Sequence, residues 1–137
     1  MDGDLLIRAA EETLNRASSV GGADLTLLLT DDEQMRELNS RYRQVDDTTD
    51  VLAFPSGDLE RDSGRIYLGD VLISLPRASA QALVGRHELD AELQLLVVHG
   101  VLHLLGYDHG GDEDRAAMWK VQDEVLSAIG CPIRAPS

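Results

Sequence analysis

The chain has a single cysteine, Cys131, so it cannot form an internal disulfide bond. This cysteine usage suits a reducing compartment. No apolar run approaches the roughly 18 residues that a membrane-spanning helix requires. The N-terminal stretch MDGDLLIRAAEE carries acidic residues where a secretory signal peptide would carry lysine or arginine. These absences predict a cytoplasmic protein that does not enter the membrane.

Basic residues are also scarce, because 12 Lys and Arg face 25 Asp and Glu and give a formal net charge of −13. An acidic surface repels phosphate, so the overall charge argues against a general nucleic-acid binder. The cations are unevenly spread, however. Arg36, Arg41 and Arg43 fall within eight residues, and a local patch of this kind can outweigh the average charge. An ordinary solvated helix face explains these arginines equally well.

The length of 137 residues fits one domain, and a 43% apolar content is enough to form a hydrophobic core. No internal repeat or low-complexity run divides the chain. We therefore expect a single domain over residues 1–137, with residues 131–137 forming a loose tail.

The hydrophobic periodicity predicts five helices and three strands, in the order helix, strand, helix, strand, strand, helix, helix, helix. Thr30 and Glu33 match a capping box at the start of the second helix. Pro55 is expected to end the second strand, which should pair antiparallel with the third. The fold class is α+β, a small mixed β-sheet with helices packed on it, although the strand order cannot be read from the sequence. The helices are predicted over residues 4–18, 30–43, 76–86, 88–105 and 112–128, and the strands over 24–29, 51–54 and 67–74.

Three of the four histidines lie in one stretch, HGVLHLLGYDH, at residues 99–109. His99 and His103 are four residues apart on the predicted long helix, so their side chains share one face and can bind one metal ion. Gly106 can end that helix in the left-handed conformation and let the chain turn back, which makes His109 a third ligand. Three histidines leave one position for water, the pattern of a catalytic zinc site. The sequence thus predicts a metal site at the end of a long central helix, and His87 outside the cluster is interpreted as local structure.

Metzincin zinc proteases have the same histidine and glycine offsets, in H-E-x-x-H-x-x-G-x-x-H. The glutamate that serves them as general base is replaced here by Gly100, which cannot take or deliver a proton. This argues against ordinary peptide hydrolysis. A glycine inside a helix costs about 1 kcal/mol relative to alanine. Its presence predicts that something bulky, for instance a substrate or a neighbouring backbone, approaches the helix at this point.

Three motifs together resemble the YbeY family of bacterial endoribonucleases. The segment His99–His109 matches the pattern H-G-x-L-H-L-x-G-Y-D-H at every fixed position. The second motif comprises Leu38-Asn39, Tyr42-Arg43, Asp46 and Thr49–Pro55, and the third is Leu68–Ser74. Two residues depart from the common pattern, Ala53 in place of serine and Thr48 in place of proline. Both lie beside the motif rather than among the candidate ligands.

The resemblance implies a single-strand-specific, metal-dependent endoribonuclease that acts in ribosomal RNA maturation, notably at the 3′ end of 16S rRNA, and in ribosome quality control. It also implies association with the small ribosomal subunit and with assembly factors such as an Era-type GTPase. Arg43 matches the family's functionally important arginine, and its planar guanidinium could bind two phosphate oxygens. The alternative role for Arg43 is a helix-end salt bridge.

His99, His103 and His109 would hold one Zn²⁺ ion, and other divalent transition metals also suit three imidazoles. Asp108 is a candidate for orienting an imidazole or for capping the turn, and Asp50 and Asp70 are weaker candidates of the same kind. Tyr107 could stack on a base or pack in the core. Nothing in the sequence identifies the general base, so either water or the RNA 2′-hydroxyl could attack.

Two other functions compete with RNA cleavage. The same metal site could serve another zinc hydrolase in which a carboxylate from elsewhere replaces the missing glutamate. Alternatively, the protein could be a non-catalytic ribosome assembly factor with a structural metal. The acidic charge favours this second alternative to some extent, because ribosomal proteins are basic.

Overall fold

The computed structural model describes residues 2–17, 22–43, 49–60, 64–107 and 111–133. It confirms the predicted order of elements and the α+β class. Within the described residues no helix is both long and apolar enough to cross a membrane. The helices are α1 (Gly3–Ala17), α2 (Asp32–Arg43), α3 (Leu75–Gly85), α4 (Leu89–Leu104) and α5 (Asp112–Ala128), and the strands are β1 (Ala23–Thr30), β2 (Val51–Glu60) and β3 (Ile66–Ser74).

The three strands form one mixed sheet in the order β1-β3-β2. β1 runs parallel to the central strand β3, and β2 runs antiparallel to it, which confirms the predicted β2–β3 pairing. In this register Leu72 of β3 lies between Leu28 of β1 and Leu52 of β2. Among the described elements, β1 and β2 are therefore the edges of the sheet.

Helices cover both faces of the sheet. α4 packs on one face, where Val71 and Ile73 of β3 join the main hydrophobic core. α2 packs on the other face, where Met35 meets Leu52 and Leu72 in a second, smaller core. α4 is buried along nearly all of its length and is surrounded by α1, α3 and α5 as well as the sheet. This position explains why its sequence is apolar on every side.

The second strand is longer than predicted. Pro55 does not end β2, which continues to Glu60 with a register shift between Pro55 and Leu59. Proline lacks a backbone N–H and is tolerated in sheets almost only at edges and irregularities. β2 is an edge strand, so Pro55 can lie within it.

The cap of α2 also differs from the prediction. Thr30 does not start the helix, because it remains the last residue of β1, paired with Ser74. Asp31 takes the capping role instead, and its Oδ1 accepts a hydrogen bond from the Gln34 N–H at 2.8 Å. Aspartate is as good an N-cap as threonine, so the helix starts one or two residues later at little cost.

The C-terminal segment is anchored at its start. Cys131 is 2% exposed, and its thiol donates a weak hydrogen bond to the Ala91 carbonyl of α4 at 3.5 Å. The remainder of the predicted tail, residues 134–137, lies outside the described residues.

Candidate metal centre

The histidine-bearing helix ends at the predicted glycine. Gly106 has a φ of 97°, in the left-handed region. The Gly106 N–H donates to the His103 carbonyl at 3.0 Å, and the Tyr107 N–H donates to the Leu102 carbonyl at 3.0 Å. These two bonds form a Schellman motif, which satisfies the last carbonyls of the helix and reverses the chain. His103 therefore lies in the last turn of α4.

His99 and His103 point their rings at one another from successive turns of α4. Their Nε2 atoms lie 3.1 Å apart, and the ring centroids are 4.6 Å apart at an interplanar angle of 77°. Two nitrogens bound to one tetrahedral zinc ion at the usual zinc–nitrogen distance are about 3.3 Å apart. The described residues thus hold two imidazole nitrogens at the spacing of two ligands of a single ion.

A buried glutamine orients the first histidine. Gln122 of α5 is 3% exposed, and its side-chain Oε1 lies 3.0 Å from Nδ1 of His99. An amide oxygen can only accept, so Nδ1 carries the proton and Nε2 presents its lone pair towards His103. Histidine ligands of metals usually have such a partner on the second ring nitrogen. The two imidazoles and their glutamine therefore fit a transition metal ion.

Sequence reasoning did not identify Gln122. A signal was present, because the buried stripe of α5 contains one polar residue, Gln122, among Met118, Val125 and Leu126. A polar residue on an apolar stripe needs a buried partner. The sequence alone does not say that the partner is His99, 23 positions earlier.

The third predicted ligand, His109, and the adjacent Asp108 lie outside the described residues. Within the described ranges, no group of three histidine, cysteine, aspartate or glutamate side chains is placed to hold a metal ion. The three-histidine site thus stays a prediction, of which the structure describes two members.

Bulky groups do approach α4 at Gly100, as predicted. A Cβ atom on Gly100 would lie 2.5 Å from Cγ1 of Val71 and 3.2 Å from Cγ2 of Val51. The bulky neighbours are therefore two valine side chains of the sheet. Glycine lets α4 lie directly on β2 and β3.

Arg43 is the last residue of α2, and its side chain lies outside the described residues. The helix that carries it packs on the opposite face of the sheet from α4. Its neighbours Arg36 and Arg41 are exposed, and Arg41 lies 3.9 Å from Glu37 in a loose ion pair. The structure does not show Arg43 together with the histidines.

The weaker candidates have partners of their own. Asp50 accepts a hydrogen bond from Nε2 of Gln81 at 3.2 Å, and the carboxylate of Asp70 accepts one from the Tyr67 hydroxyl. Tyr107 is half-buried and packs against the main core. His87 lies 2.6 Å from the Glu92 carboxylate, in line with its interpretation as local structure.

The chain is similar to proteins named Endoribonuclease YbeY. The family model described as Endoribonuclease YbeY matches residues 4–130. The protein named Endoribonuclease YbeY from Pelotomaculum thermopropionicum is 44% identical over 128 residues, which cover 91% of this chain and 84% of the relative. The protein of the same name from Roseiflexus castenholzii is 42% identical over 135 residues, which cover 95% of this chain and 85% of the relative.

A solved structure shares the fold. The solution structure of TM1509 from Thermotoga maritima superposes with a TM-score of 0.59 at 26% sequence identity. The match covers 92% of this chain and 84% of that protein.

Proposed function

Because the chain belongs to the YbeY family of endoribonucleases, we propose that it cleaves single-stranded RNA during ribosomal RNA maturation, at a metal centre formed by His99, His103 and His109. The family match supports the reaction class. The location of the metal centre is supported by one observation, the 3.1 Å distance between Nε2 of His99 and Nε2 of His103.

Zinc is the proposed metal, because three histidines with one open position are the pattern of a catalytic zinc site, although nickel, copper and cobalt also suit such ligands. When bound, such an ion supplies Lewis acidity at a phosphoryl oxygen. The residues of the chain have separate tasks. His99 and His103 bind through Nε2, and Gln122 keeps the ring of His99 in place. Gly100 offers no proton-transfer group, so it cannot be the general base, and either water or the RNA 2′-hydroxyl could be the nucleophile.

Arg43 is proposed to bind the phosphate whose bond breaks. Both α2 and α4 pack against the edge strand β2, although on opposite faces. Tyr42, beside Arg43, stacks edge-on to Phe54 of β2 with ring centroids 5.5 Å apart, and Gly100 lies against Val51 of β2. Three residues of a strand span about 10 Å. An RNA strand that crosses this edge would therefore meet the end of α2 and the histidines of α4 together.

The proposal extends to the setting of the reaction. Association with the small ribosomal subunit and an Era-type GTPase fits a net charge of −13, because basic ribosomal proteins attract an acidic surface. A cytoplasmic location belongs to the same proposal, since ribosomal RNA matures where ribosomes assemble.

The test is cleavage of a labelled single-stranded RNA by zinc-loaded protein, with the metal content of each sample measured by mass spectrometry. We expect the wild type to cut and His103→Ala to lose both metal and cleavage. Arg43→Ala should keep its metal and lose cleavage. The matched control is Arg8→Ala, an exposed arginine of α1 outside the α2 arginine segment, which should cut nearly as well as the wild type.

Equal cleavage by all four proteins would point to a contaminating nuclease and would contradict the assignment. A wild type that binds zinc but does not cut would favour the non-catalytic assembly factor. The ends of the products identify the nucleophile, because a 2′,3′-cyclic phosphate forms only by attack of the 2′-hydroxyl.

A further inference from the structure

We propose that Gln122 is a positioning residue with two effects on the metal centre. It holds His99 in the tautomer whose Nε2 is free to bind metal. It does so with a neutral amide, which adds no negative charge where an RNA phosphate must approach. The second effect rests on the proposed function, whereas the first concerns metal binding alone.

The hydrogen bond between Gln122 and His99 is formed by a buried side chain. Gln122 is 3% exposed on the face of α5 that packs into the core, beside Met118 and Val125. A buried amide that loses its hydrogen-bond partner is destabilising, because water does not replace the partner. The 3.0 Å bond to Nδ1 of His99 is therefore not readily exchanged for one to water. α5 thus fixes the ring orientation of a residue on α4.

The direction of this hydrogen bond decides whether His99 can bind metal. With the amide oxygen facing Nδ1, the ring proton is on Nδ1 and the lone pair of Nε2 points towards Nε2 of His103, 3.1 Å away. With the amide nitrogen facing Nδ1, the proton would move to Nε2 and would block that lone pair. Only the first arrangement lets both histidines bind one ion.

The neutrality of Gln122 is the second part of the proposal. The usual partners of metal-bound histidine are carboxylates and backbone carbonyls. A carboxylate here would offset part of the charge of the ion in a chain whose net charge is already −13. The next two residues of α5, Asp123 and Glu124, are acidic, yet the position that meets His99 is an amide. The amide supplies the acceptor and leaves the positive charge of the ion available to phosphate.

The test uses Gln122→Met, which keeps the shape of the side chain and removes the acceptor, and Gln122→Glu, which keeps an acceptor and adds a charge. The matched control is Gln94→Met, the same exchange at another buried glutamine, which lies on α4. The first readout is the ring tautomer of His99 in the metal-free protein, from long-range ¹H–¹⁵N correlation spectra at a fixed pH where the imidazoles are neutral. The second is the zinc dissociation constant, from competition with a chelating indicator.

We expect the Nδ1–H tautomer of His99 in the wild type, in Gln94→Met and in Gln122→Glu, and its loss in Gln122→Met. Zinc binding by Gln122→Met should weaken by about 10- to 100-fold, the usual effect of losing such a partner. Gln122→Glu should bind zinc at least as tightly as the wild type. If Gln122→Met does not fold, the glutamate variant still decides the matter, because weaker zinc binding by it would overturn the proposal.

The charge effect is measured with a non-cleavable 2′-O-methyl RNA oligonucleotide on zinc-loaded protein. Gln122→Glu should bind it several-fold more weakly than the wild type, while Gln94→Met should not differ. Equal binding by Gln122→Glu would overturn the charge effect, and an unchanged tautomer and zinc affinity in Gln122→Met would overturn the positioning role. If the zinc results are as expected but the wild type cuts no RNA, then the proposed function fails and the positioning role stands.

Discussion

Gly100 has no space for a side chain, because two valine side chains of the sheet lie against it. In Gly100→Ala the new Cβ would overlap Cγ1 of Val71, which is fully buried and stiff because valine branches at Cβ. Overpacking costs about 1–3 kcal/mol, and the better helix propensity of alanine returns about 1 kcal/mol. We expect a net loss of up to about 2 kcal/mol in the free energy of unfolding, measured by urea denaturation.

Val71→Ala provides the control for this contact. Alone it should destabilise the protein by leaving a cavity. In the double variant Gly100→Ala, Val71→Ala the new methyl group enters that space, so the combined loss should be smaller than the sum of the two single losses. Strict additivity would contradict the packing explanation of Gly100.

Two predictions about local geometry were confirmed at single residues. The four-residue interval predicted that His99 and His103 face each other, and Gly106 predicted the end of the helix. The neighbours of Gly100 and His99 could not be predicted in the same way. They come from β2, β3 and α5, and only the packing of the folded chain brings those elements to α4.

At the scale of elements, the departures from prediction have local physical causes. The pattern from Thr30 to Glu33 fits a capping box, but β1 keeps Thr30 in register with Ser74. Pro55 would end a strand that has neighbours on both sides, but among the described elements β2 pairs only with β3. The start of α2 and the length of β2 both depend on which strands pair. That pairing is set by contacts between segments far apart in the sequence, which the hydrophobic periodicity does not predict.

The cap of α2 can be tested directly. Asp31→Ala removes the acceptor for the Gln34 N–H and should lower the free energy of unfolding by about 1 kcal/mol. Thr30→Ala, one residue earlier, should cost less because Thr30 does not cap the helix. Urea denaturation of the two variants measures the difference. A larger loss of stability in Thr30→Ala than in Asp31→Ala would indicate that Thr30 caps the helix.

At the scale of the whole molecule, the charge of −13 limits how the protein can bind RNA. Several arginines are close to carboxylates, such as Arg65 to Asp24 at 2.7 Å. α2 carries Arg36, Arg41 and Arg43 within eight residues, which concentrates positive charge locally. If these three supply the phosphate contacts, the logarithm of the RNA affinity should fall with the logarithm of salt concentration with a slope of about −2. Fluorescence anisotropy with a single-stranded RNA measures this slope.

The variant that replaces all three arginines with alanine should bind RNA weakly and with a slope near zero. A steep slope that survives in this variant would show that the phosphate contacts lie elsewhere. Tight binding to basic ribosomal proteins without measurable RNA binding would favour an assembly role without cleavage.

We expect His99 and His103 to bind one metal ion through their Nε2 atoms. The most direct measurement is the anomalous scattering of zinc in crystals of the zinc-loaded protein. We predict one peak per chain about 2.0–2.1 Å from both Nε2 atoms, with Nδ1 of His99 still bonded to Gln122. Zinc bound at another place, while these two nitrogens stay in contact only with each other, would contradict the account.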